Sequence, residues 1–162
     1  MKQLKAGDTM TGHPMRARDI ARWFIAWADN IDASITNLKL QKLLYYAQGQ
    51  HLARTQQPLF AEEIQAWAHG PVVPEVYHEY KQFGSTVIDA DQVLDDSFTW
   101  DDYACVQGCL LDTWDTYGSL AAWALRDKTH TEPPWREAFE EGSGRNNVIT
   151  TERLHKFFTR GV

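Results

Sequence analysis

From Ile35 to Leu52 apolar residues recur so densely that little room is left for a polar face. On a helical wheel Leu38, Leu40, Leu44, Tyr45, Ala47 and Leu52 cover well over half the circumference, which marks a central helix packed on several sides. Thr36 stands where a hydroxyl can accept from the first free N–H groups, and the helix is expected to run to about Arg54. Gln41 and Gln48 fall inside the apolar arc. A buried amide needs partners, so both are expected to hold backbone, with the Gly70-Pro71 loop as the leading choice; a neighbouring helix end or water would satisfy them as well. Lys39, Lys42, Tyr46, Gln50 and Arg54 form the remaining narrow stripe. It reads as a solvated face, and it would also suit an acidic partner surface.

The flanking segments repeat the helical period. Ile20, Ala21, Phe24, Trp27, Ala28 and Ile31 share one arc and Arg18, Arg22 and Asp29 the other, predicting an amphipathic surface helix that starts between Pro14 and Asp19. Residues 1–15 show no period and are expected to form a flexible arm ahead of a single domain at 16–162. Ile64 to Ala68 suggests a short strand. Gly70 then tolerates a positive φ, Pro71 biases it toward extended geometry, and Pro74 opens a helix that Gly84 stops after Phe83. Trp67, Val72, Val73 and Tyr77 give this turn more apolar surface than a connection needs, so it must pack, bind, or do both. Val87 to Phe98 reads as an acidic solvated linker. A helix from Asp101 to Tyr117 is expected with Thr99 as its cap, then one capped by Ser119, one entered through Pro133-Pro134-Trp135 and ending at Gly142, and a last one capped by Thr150 or Thr151. The fold class is therefore mainly α. Six or seven helices surround a central one, with at most a short β element before the Gly-Pro loop.

Composition narrows the function. A length of 162 residues, 43% hydrophobic with 7 Trp, makes one globular domain with a proper core. The net charge of -6 disfavours general nucleic-acid binding, and no helix rich in Arg, Asn and Gln suggests a DNA-binding autorepressor. No apolar run approaches the roughly 20 residues of a membrane span, and no signal-peptide core is present, so a cytoplasmic location is expected. Cys105 and Cys109 lie one helical turn apart, but nothing nearby completes a tetrahedral metal site. Phosphate-binding Gly-rich loops, HExxH and nucleophile elbows are missing from the sequence. His69 and His130 flank Pro-containing turns, where an imidazole more often pins backbone carbonyls than acts as a base. A binding module without cofactor or metal is preferred over an enzyme built on those two histidines.

One long pattern adds a family. Ile35-Thr36-Asn37-Leu38-Lys39-Leu40-Gln41-Lys42-Leu43-Leu44-Tyr45-Tyr46-Ala47-Gln48-Gly49, then Pro58-Leu59-Phe60, then Ala66-Trp67-Ala68-His69-Gly70-Pro71-Val72-Val73-Pro74-Glu75-Val76-Tyr77, resembles the Panacea domain. That family includes SocA-like antitoxins and phage-associated GepA-like proteins, and the likeness extends from about Arg16 to Phe158. Its Ser-led helix followed by a His and Pro-Trp is matched by Ser119, His130, Pro134 and Trp135. The resemblance implies an antitoxin that neutralises a cognate protein toxin by direct contact. It also admits a protease or its unfoldase as a partner, and leaves homo-oligomers open. The expected partner surface joins the Gly-Pro loop to the helix stripe: Lys39, Lys42, Tyr46, Trp67, His69, Val72, Val73, Glu75 and Tyr77. The expected braces are Gln41, Gln48, Gly70, Pro71 and Pro74. For Trp67 and Tyr77 a purely core role is the equal alternative.

Overall fold

The computed structural model describes residues 15–140 and 146–160. The expected arm, apart from Met15, lies outside the described residues, as does the helix end at Gly142. The elements in chain order are α1 (Ala17–Asn30), α2 (Asn37–Thr55), β1 (Ile64–Trp67), β2 (Gly70–Val72), α3 (Pro74–Tyr80), α4 (Ala90–Val93), α5 (Gln107–Tyr117), α6 (Ala122–His130), α7 (Pro133–Glu140), β3 (Asn147–Ile149) and α8 (Thr151–Phe158). Two 3-10 turns, Lys81–Phe83 and Trp100–Tyr103, complete the list. The fold is mainly α, as the periodicity predicted, with one small sheet.

Helix α2 is the hub. It touches α1, α3, α5, α6, α8 and β2, and every residue from Leu40 to Gly49 is buried. Gly49 matters for packing, because a Cβ there would lie 2.2 Å from the Phe158 ring of α8. The Thr36 hydroxyl accepts from Lys39 N–H at 3.3 Å, as expected of the cap. Both buried glutamines hold backbone. Gln48 accepts from Leu59 N–H at 2.7 Å and donates to the Phe60 carbonyl at 2.8 Å, so it fixes the segment before the sheet and not the Gly-Pro loop. Gln41 accepts from Val73 N–H at 2.9 Å and donates to Asn37, whose own amide reaches the Tyr77 carbonyl at 3.1 Å. One amide thus ties the hub helix to the start of α3.

The Gly-Pro stretch is itself a strand. β2 pairs with β1 in a hairpin closed at Trp67↔Gly70, and β3 adds antiparallel on the other side with Ile64↔Ile149, giving the order β2-β1-β3. Pro71 sits on an edge strand, the position where a missing N–H is tolerated. β3 comes from about 80 residues downstream, beyond the reach of local pattern reading.

Several local expectations change. Trp100–Tyr103 is a 3-10 turn separate from α5, and Thr99 makes no side-chain cap bond. The Trp100 ring instead meets Trp23 and Trp27 edge-on, at 6.1 Å from each. Packing overrides the local start signal there. Ser119 is exposed and does not cap the next helix, whose N-cap position is Ala121. Ile31, expected inside, is 42% exposed, while Trp23 and Ile25 join the core. The 87–98 linker carries α4 and buries Ile88 and Ala90. Cys109 is buried and Cys105 exposed. No helix among the described residues is long and apolar enough to cross a membrane.

Candidate functional site

Beneath the hairpin lies a polar cluster that includes two residues expected at the surface, Lys42 and Tyr46. Lys42 is fully buried, and its Nζ donates to the Pro71 carbonyl at 3.0 Å. Burial, aided by the nearby charge of Arg126, lowers its pKa to about 7. Tyr46 is also fully buried, stacked on Tyr117 at 3.8 Å. The Tyr45 and Tyr46 hydroxyls donate to the two carboxylate oxygens of Glu132, at 2.9 and 3.0 Å. Burial raises the Glu132 pKa, and these two donors and Lys128 oppose that rise. Burial raises both phenol pKa values too, with the Glu132 charge adding to it.

The exposed stripe on α2 therefore does not exist as expected. Lys42 and Tyr46 are covered by β2, α6 and the α6–α7 turn, which supply the acceptors that let a Lys and a Tyr be buried. Lys39 is half-buried, donating to the Gly118 carbonyl above the Trp114 ring. Val72 and Val73 are 4% and 1% exposed, so this apolar part of the Gly-Pro segment feeds the interior. Gly70 takes φ +112, with Lys42 Cε 2.6 Å from where a Cβ would stand. Gly70→Ala is expected to cost about 2 kcal/mol through backbone strain and that clash. A chemical-denaturation midpoint equal to that of the unmodified protein would disprove it.

The surface around the hairpin tip keeps the other residues. Trp67 is half-buried, its ring 5.1 Å from Tyr77 and 6.2 Å from His78. Its carbonyl accepts from Trp135 Nε1 at 2.8 Å, which fixes α7 behind the tip. His69 is exposed, and its Nδ1 lies 3.3 Å from Arg126 Nε. Trp123 sits three residues before Arg126, on the same side of α6, and is 66% exposed. Glu75 is exposed and paired with Arg16 at 2.9 Å. His130 does not pin a carbonyl. Its ring stacks on Trp135 at 3.9 Å and an interplanar angle of 2°, and burial lowers its pKa. Pro134 lies in the first turn of α7, where a proline ring fits without loss of a hydrogen bond.

Sequence reading missed Trp123 and Glu132. Trp123 is apolar and reads locally like a core residue of its helix, but Leu125 and Thr129, four apart and both buried, place it on the outer side. Glu132 gave no signal, because its partners are 86 and 87 residues away. Chemically the tip offers aromatic rings, the Arg126 guanidinium and the imidazoles of His69 and His78, a set suited to gripping a protein surface. Among the described residues no group of three His, Cys, Asp or Glu side chains is placed to hold a metal ion.

A family model described as "Antitoxin SocA-like, Panacea domain" matches residues 40–136. The chain belongs to the SocA-like Panacea-domain family. The matched span runs from the second turn of α2 through the hairpin, α6 and Trp135, so it holds the tip surface and the Glu132 cluster of this Panacea domain. Antitoxin SocA of Caulobacter vibrioides (strain NA1000 / CB15N) is 40% identical over 72 residues, which is 44% of this chain and 38% of that relative. No solved structure matches.

Proposed function

We propose that this protein is a cytoplasmic antitoxin that neutralises a cognate protein toxin by direct contact through the hairpin-tip surface. The observation that carries the reading is the run of aromatic and cationic side chains left accessible there: Trp67, His69 and Tyr77 beside Trp123 and Arg126. Trp, Tyr and Arg are the residues that most often dominate binding energy at protein interfaces. Membership of the SocA-like family and the likeness to Antitoxin SocA support the antitoxin role. Lys39 and Glu75 are accessible enough to contribute at the rim of such a contact, whereas Lys42, Tyr46, Val72 and Val73 act from below by holding β2 in place. Delivery of the captured toxin to a protease would use the same contact.

Trp67→Ala combined with Trp123→Ala tests this. Co-expressed with the toxin encoded beside it, the double variant should fail to rescue growth and should bind the purified toxin about 100-fold more weakly. Full rescue and unchanged affinity in a variant that keeps its circular dichroism spectrum would rule out this surface. For His69→Ala, abolished neutralisation with undiminished toxin binding would point to His-based chemistry instead.

A further inference from the structure

We infer that the hairpin tip receives an acidic side chain, an Asp or Glu of the toxin, on Arg126 and His69 beside the exposed Trp123 ring. This rests on the hairpin-tip reading above and adds to it the chemistry of the partner.

The donors follow from one contact. Arg126 Nε lies 3.3 Å from His69 Nδ1, and a guanidinium can only donate, so Nδ1 accepts and the ring hydrogen stands on Nε2. His69 is exposed, and its Nε2–H therefore adds a second donor to the tip. Arg126 directs one further N–H to Asp127 Oδ1 at 2.9 Å, and the rest of its fork has no partner among the described residues. A carboxylate is the side-chain group whose two oxygens match such a fork.

What lies beneath favours the same sign. Lys42 Nζ is 3.1 Å from where a Gly70 Cβ would stand, so a buried amine sits directly behind the backbone next to His69. Its acceptor is the Pro71 carbonyl and not an acid. Burial lowers the pKa of Lys42 and of His130, and the charge of Arg126 adds to both effects. The acids of α6 and the turn after it are engaged. Asp127 meets Arg126, while Glu132 holds the Tyr45 and Tyr46 hydroxyls and lies 3.6 Å from Lys128 Nζ. In a chain of overall charge -6 the tip is thus a local positive patch, and an incoming carboxylate offsets the repulsion between Arg126 and Lys42.

Two other anions fit less well. A chain terminus is captured by backbone N–H groups, and the donors here are side chains. Nucleic acid presents a row of phosphates, which the overall negative charge repels.

Calorimetric titration of the full chain with the same purified toxin tests the inference. Arg126→Gln should weaken binding about tenfold and Arg126→Glu about 100-fold. Asp127→Asn should tighten it about threefold, because it frees the guanidinium and removes a competing carboxylate. A merely structural Arg126 would not give that gain, and the Asp127 side chain is exposed enough to change without harm to the fold. One Asp→Lys or Glu→Lys exchange in the toxin should restore its binding to Arg126→Glu. The inference is overturned if Arg126→Gln binds like the parent protein, if Asp127→Asn brings no gain, or if no charge reversal in the toxin restores binding. Displacement of the toxin by a single-stranded oligonucleotide, in a manner that depends on Arg126, would overturn it in favour of a phosphate. If Trp67→Ala with Trp123→Ala loses the toxin while the Arg126 variants keep it, the tip reading stands and only the acidic partner group fails. If that double variant also binds normally, both fail.

Discussion

Glu132→Ala is expected to destabilise the folded protein by about 4 kcal/mol, a large part of the 5–15 kcal/mol typical of a domain. Tyr45 and Tyr46 would both lose their acceptor, and neither ring has any exposed surface through which water could replace it. Two unpaired buried hydroxyls cost roughly 1–3 kcal/mol each, and the space left by the carboxylate adds to that. The charge is itself costly to bury, which is why burial raises the Glu132 pKa against the pull of its donors. Glu132→Gln keeps one acceptor and the side-chain shape, so it should lose only about 1–2 kcal/mol. Exchanging both tyrosines for Phe together with Glu132→Leu should recover most of the alanine loss, because no polar group is then left alone. Urea unfolding at pH 7 reads all three. A shift in midpoint equivalent to less than 1 kcal/mol for Glu132→Ala, at unchanged slope, would show that the tyrosines find other partners.

Lys42 should make stability climb with pH over an unusual range. An unfolded lysine holds its proton to near 10.5, whereas in the folded protein burial has lowered the value to about 7. Between those limits the unfolded chain binds more protons than the folded one, so stability rises with pH from about 7 toward 10.5 and is lowest for this group below 7. The full span corresponds to an effect on the order of 5 kcal/mol. The groups facing the amine from β2, α6 and the following turn are the Pro71 carbonyl, Thr129, Arg126 and His130, none of them an acid. Glu132 acts with the opposite sign at lower pH. Its raised folded value means that stability falls as pH rises from 4.5 through that value. Lys42→Met removes the first effect while leaving the second. Subtracting its stability from that of the parent protein at each pH should give a difference that grows steadily from pH 7 to pH 9.5. A difference that stays constant over that range would mean that Lys42 keeps its proton in the folded state.

Sequence pattern reached the hub helix and its glutamines for a clear reason. An amide on an apolar arc has few ways to be satisfied, and both glutamines hold backbone, Gln41 next to the Gly-Pro stretch at Val73 and Gln48 at Leu59 and Phe60 instead. The same wheel misplaced Lys42 and Tyr46, since a polar side chain next to an apolar arc reads as exposed unless its distant acceptor is known. Pro71 and Glu132, 29 and 86 residues further on, are those acceptors. Trp67 and His69 were legible as lying near a chain reversal because Gly70-Pro71 signals one, although the reversal falls at Ala68-His69 and Gly70-Pro71 already belongs to β2. Val72 and Val73 were not, because a strand edge buried against α2 and an exposed apolar loop have the same local pattern. The cap expected at Thr99 failed where tertiary contacts of Trp100 on Trp23 and Trp27 outweighed a hydroxyl worth about 1 kcal/mol, and the helix expected from Ser119 begins only after Ala121.

The hub helix also governs how the chain reaches its native state. α2 draws on α8, α6 and β2, and its tyrosines are closed off by a carboxylate 87 residues later, so few of its burying contacts are local. Folding rates fall as such separations lengthen, which puts this helical protein nearer the slower, mixed α/β range than the microsecond range of simple bundles. Until the second half of the chain arrives, α2 has only α1, α3 and β2 for cover, and the part of its Leu40–Ala47 surface that α5, α6 and α8 bury stays open. That stretch is where a chaperone or a protease would first take hold of the unfinished protein.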